Sequence, residues 1–151
     1  MVLKVSKFLN FNYTMTLENL YNIPSENICH IHILNGNFIF GHGIMEDLTM
    51  KYDKMYKDTD IARIFQQITE SLRKNTSRCL TQNKNFFAKL NNITDIYSYG
   101  FSFSNVDLPY INRICQVVNT SNATWHQYMY NGNDYTEVLK DCGFNGKIQS
   151  W

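Results

Sequence analysis

The last third of the chain constrains the fold most, because strand and helix patterns alternate along it. Runs typical of strands occur at 95–99, 125–130 and 147–151, and helical patterns at 107–118 and after residue 134 separate them. A strand that returns beside its predecessor through a helix pairs in parallel, with a right-handed crossover. The alternation therefore predicts an α/β fold: a single Rossmann-like domain with a mainly parallel sheet and helices on its faces.

Helix-end signals support these boundaries. Asp107 is a good N-cap, and Pro109 is tolerated in the first turn that follows it. Asp134 and Glu137 form a capping-box-like start, and Gly143 is placed to close that helix. We expect residues 1–151 to form one domain, because no linker, repeat or low-complexity segment interrupts them.

The first half of the chain predicts a β-hairpin near residues 28–40. Strand patterns at 28–34 and 38–40 flank Asn35-Gly36, the dipeptide that best accommodates a type I′ turn, which needs positive φ at both central residues. A shorter strand at 7–11 and a brief helix at 17–21 precede it.

Two further helices are predicted in the middle of the chain. The pattern over 58–74 places a set of apolar side chains on one 3.6-residue stripe, which we expect to be buried: Ile61, Ile64, Phe65, Ile68 and Leu72. A second helix over 82–91 is expected to bury Phe86, Phe87 and Leu90.

Composition narrows the function classes. Lys and Arg total 14 against 13 Asp and Glu, a net charge of +1, which argues against an electrostatic nucleic-acid binder. No apolar run approaches the roughly 18 residues of a membrane helix, and the N-terminus does not resemble a signal peptide. The four cysteines form no Cys-x-x-Cys pair. We therefore expect a cytoplasmic chain with no membrane partner.

Polar clusters follow the predicted strands, where ligands of parallel sheets bind. Asn12-Tyr13-Thr14 is one cluster, and Gly100 with Ser102, ahead of the helix at Asp107, is another. Glycine allows a tight turn, and the hydroxyl and amide groups at a helix N-terminus suit a phosphate or ribose. An ordinary strand-to-helix turn with a good cap is the plainer alternative.

The histidines offer another interpretation. His30 and His32 stand two apart on a predicted strand, and His42 with Glu46 or Asp47 could approach them. Such a set suits Zn²⁺ or a similar ion and would make the chain a metal-dependent hydrolase or nuclease. The alternative is that the imidazoles hydrogen-bond in the core, and we expect no metal.

Aromatic side chains alternate through the strand and loop after residue 95. Their spacing favours sheet packing over a base-stacking platform. The set comprises Tyr97, Tyr99, Phe101 and Phe103.

Four short motifs occur in a recognisable order: Phe11-Asn12-Tyr13-Thr14, His30-Ile31-His32, Ile39-Phe40-Gly41-His42, and a Gly-x-Ser-Phe-x-x-x-Asp segment from Gly100 to Asp107. Over residues 8–151 they resemble the C-terminal part of the AbiH family of bacteriophage abortive-infection proteins. The family pattern has F-N-Y-T, H-I-H-G, I-x-G-H and G-x-S-[LF]-x-x-x-D segments in the same order. The resemblance implies a role in bacterial phage defence.

AbiH proteins are in turn similar to sirtuin-like defence domains, which bind and often cleave NAD. That resemblance implies a nucleotide-type ligand, with NAD as the candidate, and catalytic roles for Asn12 and His32. It implies cofactor-binding roles for Tyr13, Thr14, Gly100, Ser102 and Asp107. If the full-length form is an enzyme, the resemblance implies an NAD-cleaving glycohydrolase, in which an imidazole accepts a proton and an amide orients water.

The chain departs from the sirtuin-like pattern in three places. Thr14 replaces an Asp, Ile33 replaces a Gly, and no glycine precedes Phe8. We therefore expect the chain to lack the Gly-rich strand–turn–helix that cradles pyrophosphate and to be a piece of a longer protein or a short relative. A further alternative is a non-catalytic interaction module or homo-oligomer that pairs through an exposed sheet edge.

Overall fold

The computed structural model of the chain describes residues 6–43, 49–56, 59–129 and 132–151. In chain order its elements are β1 (Phe8–Asn10), α1 (Thr16–Tyr21), β2 (Ile28–His30), β3 (Ile33–Leu34), β4 (Asn37–Phe38), α2 (Thr49–Tyr56), α3 (Thr59–Ser71), α4 (Thr76–Gln82), α5 (Lys84–Ala88), β5 (Asp95–Ser98), α6 (Leu108–Val117), β6 (Thr124–Gln127), α7 (Thr136–Asp141) and β7 (Lys147–Ser150). Asp58 and Tyr130, predicted as ends of a helix and a strand, lie outside the described residues.

A three-stranded parallel sheet forms the C-terminal half, as the alternation predicts. The strand order is β5-β6-β7, and both pairs are parallel. Helix α6 connects the first pair and α7 the second. Trp125 of β6 is buried at 1% exposure, and its indole N–H donates to Ser98 Oγ at 3.1 Å. The mixed α/β class is therefore confirmed.

The hairpin is also confirmed, although its strands are short. β3 and β4 pair antiparallel, and the turn residues Asn35 and Gly36 have φ of 51° and 80°. Positive φ at both central residues is the type I′ signature.

One continuous Rossmann-like sheet is not confirmed. Within the described ranges, the strands form three separate sheets: β1-β2, β3-β4 and β5-β6-β7. The predicted strand at 28–34 is interrupted, because β2 ends at His30 and the chain turns at Ile31 and His32 before β3. β1 and β2 pair in parallel, with Asn10 opposite His30.

The core lies between the C-terminal sheet and helices α4, α5 and α6. It includes Tyr110, Ile111 and Ile114 of α6, as well as Phe87 and Trp125. Helix α6 therefore buries the face that its spacing predicts.

The apolar stripe predicted to be buried on the third helix is exposed, so that expectation is wrong. Ile61, Ile64, Ile68 and Leu72 are 39–56% exposed, and only Phe65 of the set is half-buried. The buried side chains of α3 are Ala62, Gln66 and Thr69. Helix α2 packs there, with the Tyr52 hydroxyl 3.1 Å from Thr69 Oγ1. A small and polar face is thus covered, while the more apolar face is left to solvent.

The helix predicted at 82–91 is also different. Two short helices, α4 and α5, meet at Asn83, whose side-chain amide donates to the Cys79 carbonyl at 2.9 Å. This local hydrogen bond satisfies a helix-end carbonyl and ends α4. Phe87 and Leu90 are buried as expected.

The two predicted acidic N-termini differ from expectation in different ways. Asp107 precedes α6 but makes no capping hydrogen bond, because its carboxylate faces other partners described below. Asp134 accepts from the backbone N–H of Thr136 at 2.9 Å, while Glu137 pairs with Lys140 and not with the cap. The capping box is therefore wrong, whereas Gly143 closes α7 at φ 90° as predicted.

Within the described residues, no helix combines the length and the apolar character needed to cross a bilayer.

Candidate functional site

His32 lies in the turn that follows β2 and is 3% exposed. Three aromatic rings surround its imidazole: Phe11 at 5.6 Å, Tyr110 at 5.7 Å and Tyr13 at 6.0 Å between ring centroids. These rings exclude water from most of the imidazole and leave its two nitrogens as its polar contacts.

The two nitrogens of His32 have different neighbours. Nδ1 lies 3.2 Å from the Phe11 carbonyl oxygen, which can only accept, so Nδ1 carries a proton. In the neutral ring, Nε2 is then the basic nitrogen, and Lys74 Nζ lies 3.3 Å from it. The backbone of Phe11 therefore orients the imidazole and directs its lone pair toward Lys74.

A carboxylate completes this group, which we call the His32 cluster: His32, Lys74, Asp107 and Tyr110. Asp107 Oδ1 lies 3.5 Å from both His32 Nε2 and Lys74 Nζ, and Ser104 Oγ donates to Asp107 Oδ2 at 3.1 Å. The Lys74 and Asp107 side chains are only 7% and 14% exposed. A buried ion pair thus flanks the basic nitrogen of a buried imidazole.

The charges set the protonation of Asp107. Burial alone would raise the pKa of its carboxyl, but the neighbouring His32 ring, the charge of Lys74 and the hydrogen bond from Ser104 outweigh burial and hold that pKa below its ordinary value. Asp107 is therefore an anion at neutral pH, placed to stabilise an imidazolium at His32.

Two glycines position the charged pair. His42 pairs with Arg73 in an isolated parallel bridge, with the His42 N–H donating to the Leu72 carbonyl and the Lys74 N–H to the His42 carbonyl. A Cβ on Gly41, whose φ is +145°, would lie 2.4 Å from the Leu72 oxygen.

Gly43 makes a similar approach on the other side of the site. A Cβ there would lie 2.6 Å from the Cβ of Val106, the neighbour of Asp107. The Gly41-His42-Gly43 segment therefore packs closely against the chain next to Lys74 at one end and next to Asp107 at the other. A side chain at Gly41 or Gly43 would clash with these neighbours, so glycine is required at both positions.

Tyr110 contributes a buried hydroxyl to the cluster. It lies on α6 three residues after Asp107; its ring contacts His32, and its buried hydroxyl lies beside the Cys79 thiol. Burial raises the pKa of this phenol, and the nearby Cys79 thiol and Asp107 carboxylate raise it further. The hydroxyl therefore stays protonated at neutral pH.

Some of the residues predicted for the site are brought together. His32 and Asp107 are in contact, and the Tyr13 ring packs near His32 while its hydroxyl donates to the Ile39 carbonyl at 2.9 Å. These three come from the first, second and fourth motifs, so the motifs do converge in space.

The remaining predicted residues are more exposed. Asn12 and Thr14 lie on the surface: the Asn12 backbone N–H donates to Asn10 Oδ1, and the Thr14 hydroxyl pairs with Thr16. Within the described ranges, the Asn12 side chain makes no hydrogen bond.

Gly100 and Ser102 are likewise exposed. Gly100 has a φ of 61°, the left-handed turn that its residue type suggests, with open space around its Cβ position. Ser104, not Ser102, is the serine that reaches Asp107.

Lys74, Ser104 and Tyr110 were missed by sequence reasoning. Lys74 is 42 residues from His32 and belongs to no motif. The spacing of Asp107 and Tyr110 was a usable signal, because residues three apart at the start of a helix share a face.

The histidine set does not assemble as a metal site in the described residues. His30 Nε2 lies 2.6 Å from Glu18 Oε1 and its Nδ1 lies 3.3 Å from Asn10 Nδ2, partners different from those of His32. Among the described residues, no group of three or more His, Cys, Asp or Glu side chains could hold a metal ion. Glu46 and Asp47 lie outside the described residues.

Comparison with known proteins gives one match. The family described as bacteriophage abortive infection AbiH matches residues 1–129, a span that contains every motif and every member of the His32 cluster. No curated protein and no solved structure matches the chain. The match covers well over half of the sequence and confirms the resemblance found in the four motifs: the chain belongs to the bacteriophage abortive infection AbiH family.

Proposed function

We propose that the chain acts in phage abortive infection through a nucleotide site built on the His32 cluster, with an NAD-type dinucleotide as the substrate. The family match supports the defence role. The observation that carries the nucleotide site is the buried arrangement of Lys74, His32 and Asp107, which combines an anion-binding cation with an oriented base.

The chemistry follows from the charges. Lys74, which already pairs with Asp107, is the proposed contact for a phosphate oxygen, and the Tyr110 hydroxyl, which lies beside the Cys79 thiol, is the proposed neutral donor. Sites of this kind take ligands that carry both negative charge and hydroxyl groups, which describes a nucleotide.

Hydrolysis of the nicotinamide–ribose bond is the reaction that these residues support best. Water adds its oxygen to the anomeric carbon, nicotinamide leaves with the bonding electron pair, and the water proton passes to His32 Nε2. The Asp107 carboxylate stabilises the resulting imidazolium. Asn12, on the exposed segment beside Phe11, is the proposed water-orienting amide.

The test is to incubate the chain, and its longest natural form, with NAD and to follow nicotinamide by chromatography. His32→Ala should abolish release. His126→Ala is the matched control, since His126 also pairs with an aspartate but lies on the C-terminal sheet. No release from either form, or equal loss in both variants, would contradict a hydrolytic role for the cluster.

A second candidate function is an interaction module without catalysis, and the exposed stripe of α3 favours it. Ile64, Ile68 and Leu72 present contiguous apolar surface at 47–56% exposure. Analytical ultracentrifugation should then show concentration-dependent dimers that the Ile64→Glu substitution abolishes. A strictly monomeric chain would exclude a homo-oligomer through this stripe.

A further inference from the structure

Asn10, the last residue of β1, is a buried amide that binds the loop following it. Its Oδ1 accepts the Asn12 backbone N–H at 2.9 Å, and its Nδ2 donates to the Thr14 carbonyl at 3.3 Å. A backbone N–H can only donate, so this contact determines that the amide oxygen faces Asn12. The Asn10 side chain therefore closes an Asx-turn at the start of the loop.

The peptide group that joins Phe11 to Asn12 is held at both ends. Its N–H donates to Asn10 Oδ1, and its carbonyl oxygen lies 3.2 Å from His32 Nδ1. A peptide group is planar and rigid, so a contact that fixes the N–H also fixes the direction of the carbonyl. The orientation of the His32 imidazole therefore depends on Asn10 through a single peptide group.

His30 and Glu18 hold the Asn10 amide from the other side. Asn10 stands opposite His30 in the β1–β2 pair, and its Nδ2 lies 3.3 Å from His30 Nδ1. The amide nitrogen donates, so His30 Nδ1 is the acceptor and Nε2 carries the proton. His30 Nε2 lies 2.6 Å from Glu18 Oε1, and the two side chains are only 13% and 17% exposed.

These contacts form one chain of hydrogen bonds with a defined direction. At one end the Asn12 N–H can only donate, and at the other the Glu18 carboxylate accepts. Reversing the Asn10 amide would set two donors against each other at Asn12. In their neutral forms, His30 and His32 therefore carry their protons on opposite nitrogens, Nε2 in His30 and Nδ1 in His32.

We propose that Asn10 is a positioning residue of the His32 cluster, held in its working orientation by His30 and Glu18. Asn10 acts through the Phe11–Asn12 peptide and not on a substrate. The inference rests on the proposed function, in which His32 is the base and Asn12 orients water, because Asn10 holds the backbone that carries one and contacts the other.

The experiment reads the two imidazoles by nuclear magnetic resonance in the full chain labelled with ¹⁵N-histidine, with no ligand added. Long-range ¹H–¹⁵N spectra at about pH 8, where an unperturbed imidazole is neutral, report which ring nitrogen carries the proton. We expect the Nε2–H form of His30 and the Nδ1–H form of His32.

Asn10→Ala removes the side chain that holds the peptide. Exchange of the His32 Nδ1–H with water should then become about tenfold faster, while the His126 signals on the C-terminal sheet stay unchanged. A loss of overall stability would instead speed exchange across that sheet as well, so the two explanations are distinguished.

Glu18 offers a variant at the far end of the chain of hydrogen bonds. No residue of α1, which carries Glu18, is fully buried, so Glu18→Leu should leave the fold intact and decides the inference where Asn10→Ala does not fold. His30 should then show both tautomers, and His32 Nδ1–H should exchange faster. Glu18→Gln keeps an acceptor oxygen and should keep the single Nε2–H form of His30.

The matched control is Asp95→Leu, because Asp95 also pairs with a histidine, His126, at 3.2 Å. This substitution should alter the His126 signals and leave His30 and His32 as they are. In the NAD assay, Asn10→Ala should lower kcat about tenfold with KM changed less than about twofold, the pattern of a residue that does not touch the substrate.

The Nδ1–H form of His30 in the unmodified chain would overturn the inference. Unchanged exchange of the His32 Nδ1–H in Asn10→Ala, or an unchanged single tautomer of His30 in Glu18→Leu, would overturn it as well. Absence of NAD turnover in the unmodified chain would contradict the proposed function instead, and the imidazole spectra would still decide whether Asn10 positions His32.

Discussion

At the scale of single residues, the Lys74–Asp107 pair is the interaction on which the candidate site depends. Both side chains are nearly buried and both also contact His32. Removing one member of such a pair leaves an uncompensated buried charge, whereas removing both does not.

We expect Lys74→Met and Asp107→Asn each to lower the free energy of unfolding by about 3 kcal/mol. The double variant should lose at least about 1 kcal/mol less than the sum of the two single losses. The reason is that it leaves no buried charge without its partner. Urea unfolding of the four proteins measures this coupling. Strict additivity would mean that the two charges do not interact.

The lowered pKa of Asp107 makes the stability of the fold depend on pH in the acidic range. Because the pKa in the folded chain lies below the ordinary 3.8, the ionised carboxyl contributes stability above about pH 4, and this contribution is lost as the pH falls through the folded-state pKa. The stability difference between the parent chain and Asp107→Asn should therefore shrink between pH 5 and pH 3. A gap that stays constant over that range would contradict an ionic role for Asp107.

Gly41 is expected to tolerate no side chain. A Cβ there meets backbone atoms of Leu72 and Lys74, whereas Gly36 has open space around it although its φ is also positive. Gly36→Ala should cost about 1 kcal/mol from backbone strain alone, and Gly41→Ala should cost at least twice that. Thermal unfolding of both variants measures the two losses of stability. Equal losses would contradict a close approach of the backbone at Gly41.

At the scale of elements, the features that depend on neighbouring residues in the sequence were predicted correctly. Asn35-Gly36 formed its hairpin turn because two residues with positive φ suffice for it. The alternation after residue 95 gave the parallel pairing. The burial of α3 could not be predicted this way, because it depends on α2, which covers Ala62 and Thr69 and leaves the apolar stripe exposed.

Substitutions on α3 test this reversed orientation. Ile64→Ala should change stability by less than about 0.5 kcal/mol, because Ile64 is 52% exposed. Ala62→Leu should cost about 1–3 kcal/mol, because Ala62 is fully buried and the larger side chain overpacks its surroundings. Denaturant midpoints of the two variants measure the contrast. A larger loss for Ile64→Ala than for Ala62→Leu would mean that the apolar stripe of α3 is buried, contrary to the structure.

The candidate site shows the same division between local and distant signals. His32, Tyr13 and Asp107 stand in motifs and lie together in the structure. Lys74 could not be predicted, since its place beside His32 is set by the backbone pairing of Gly41–Gly43 with the chain after α3, a contact between distant segments.

At the scale of the whole molecule, three small sheets share one core, and residues of three of the four motifs meet at the His32 cluster. Every residue of the His32 cluster lies within the family match, whereas β7 lies beyond residue 129.

The most direct test of the account is a calorimetric titration of NAD into the chain. We expect saturable binding with one site per chain, weakened at least tenfold by Lys74→Met and by His32→Ala, and unchanged by Tyr97→Ala on the C-terminal sheet. Absence of binding to the chain and to its longest natural form, or binding that the Lys74 and His32 substitutions leave unaltered, would contradict a nucleotide site at the His32 cluster.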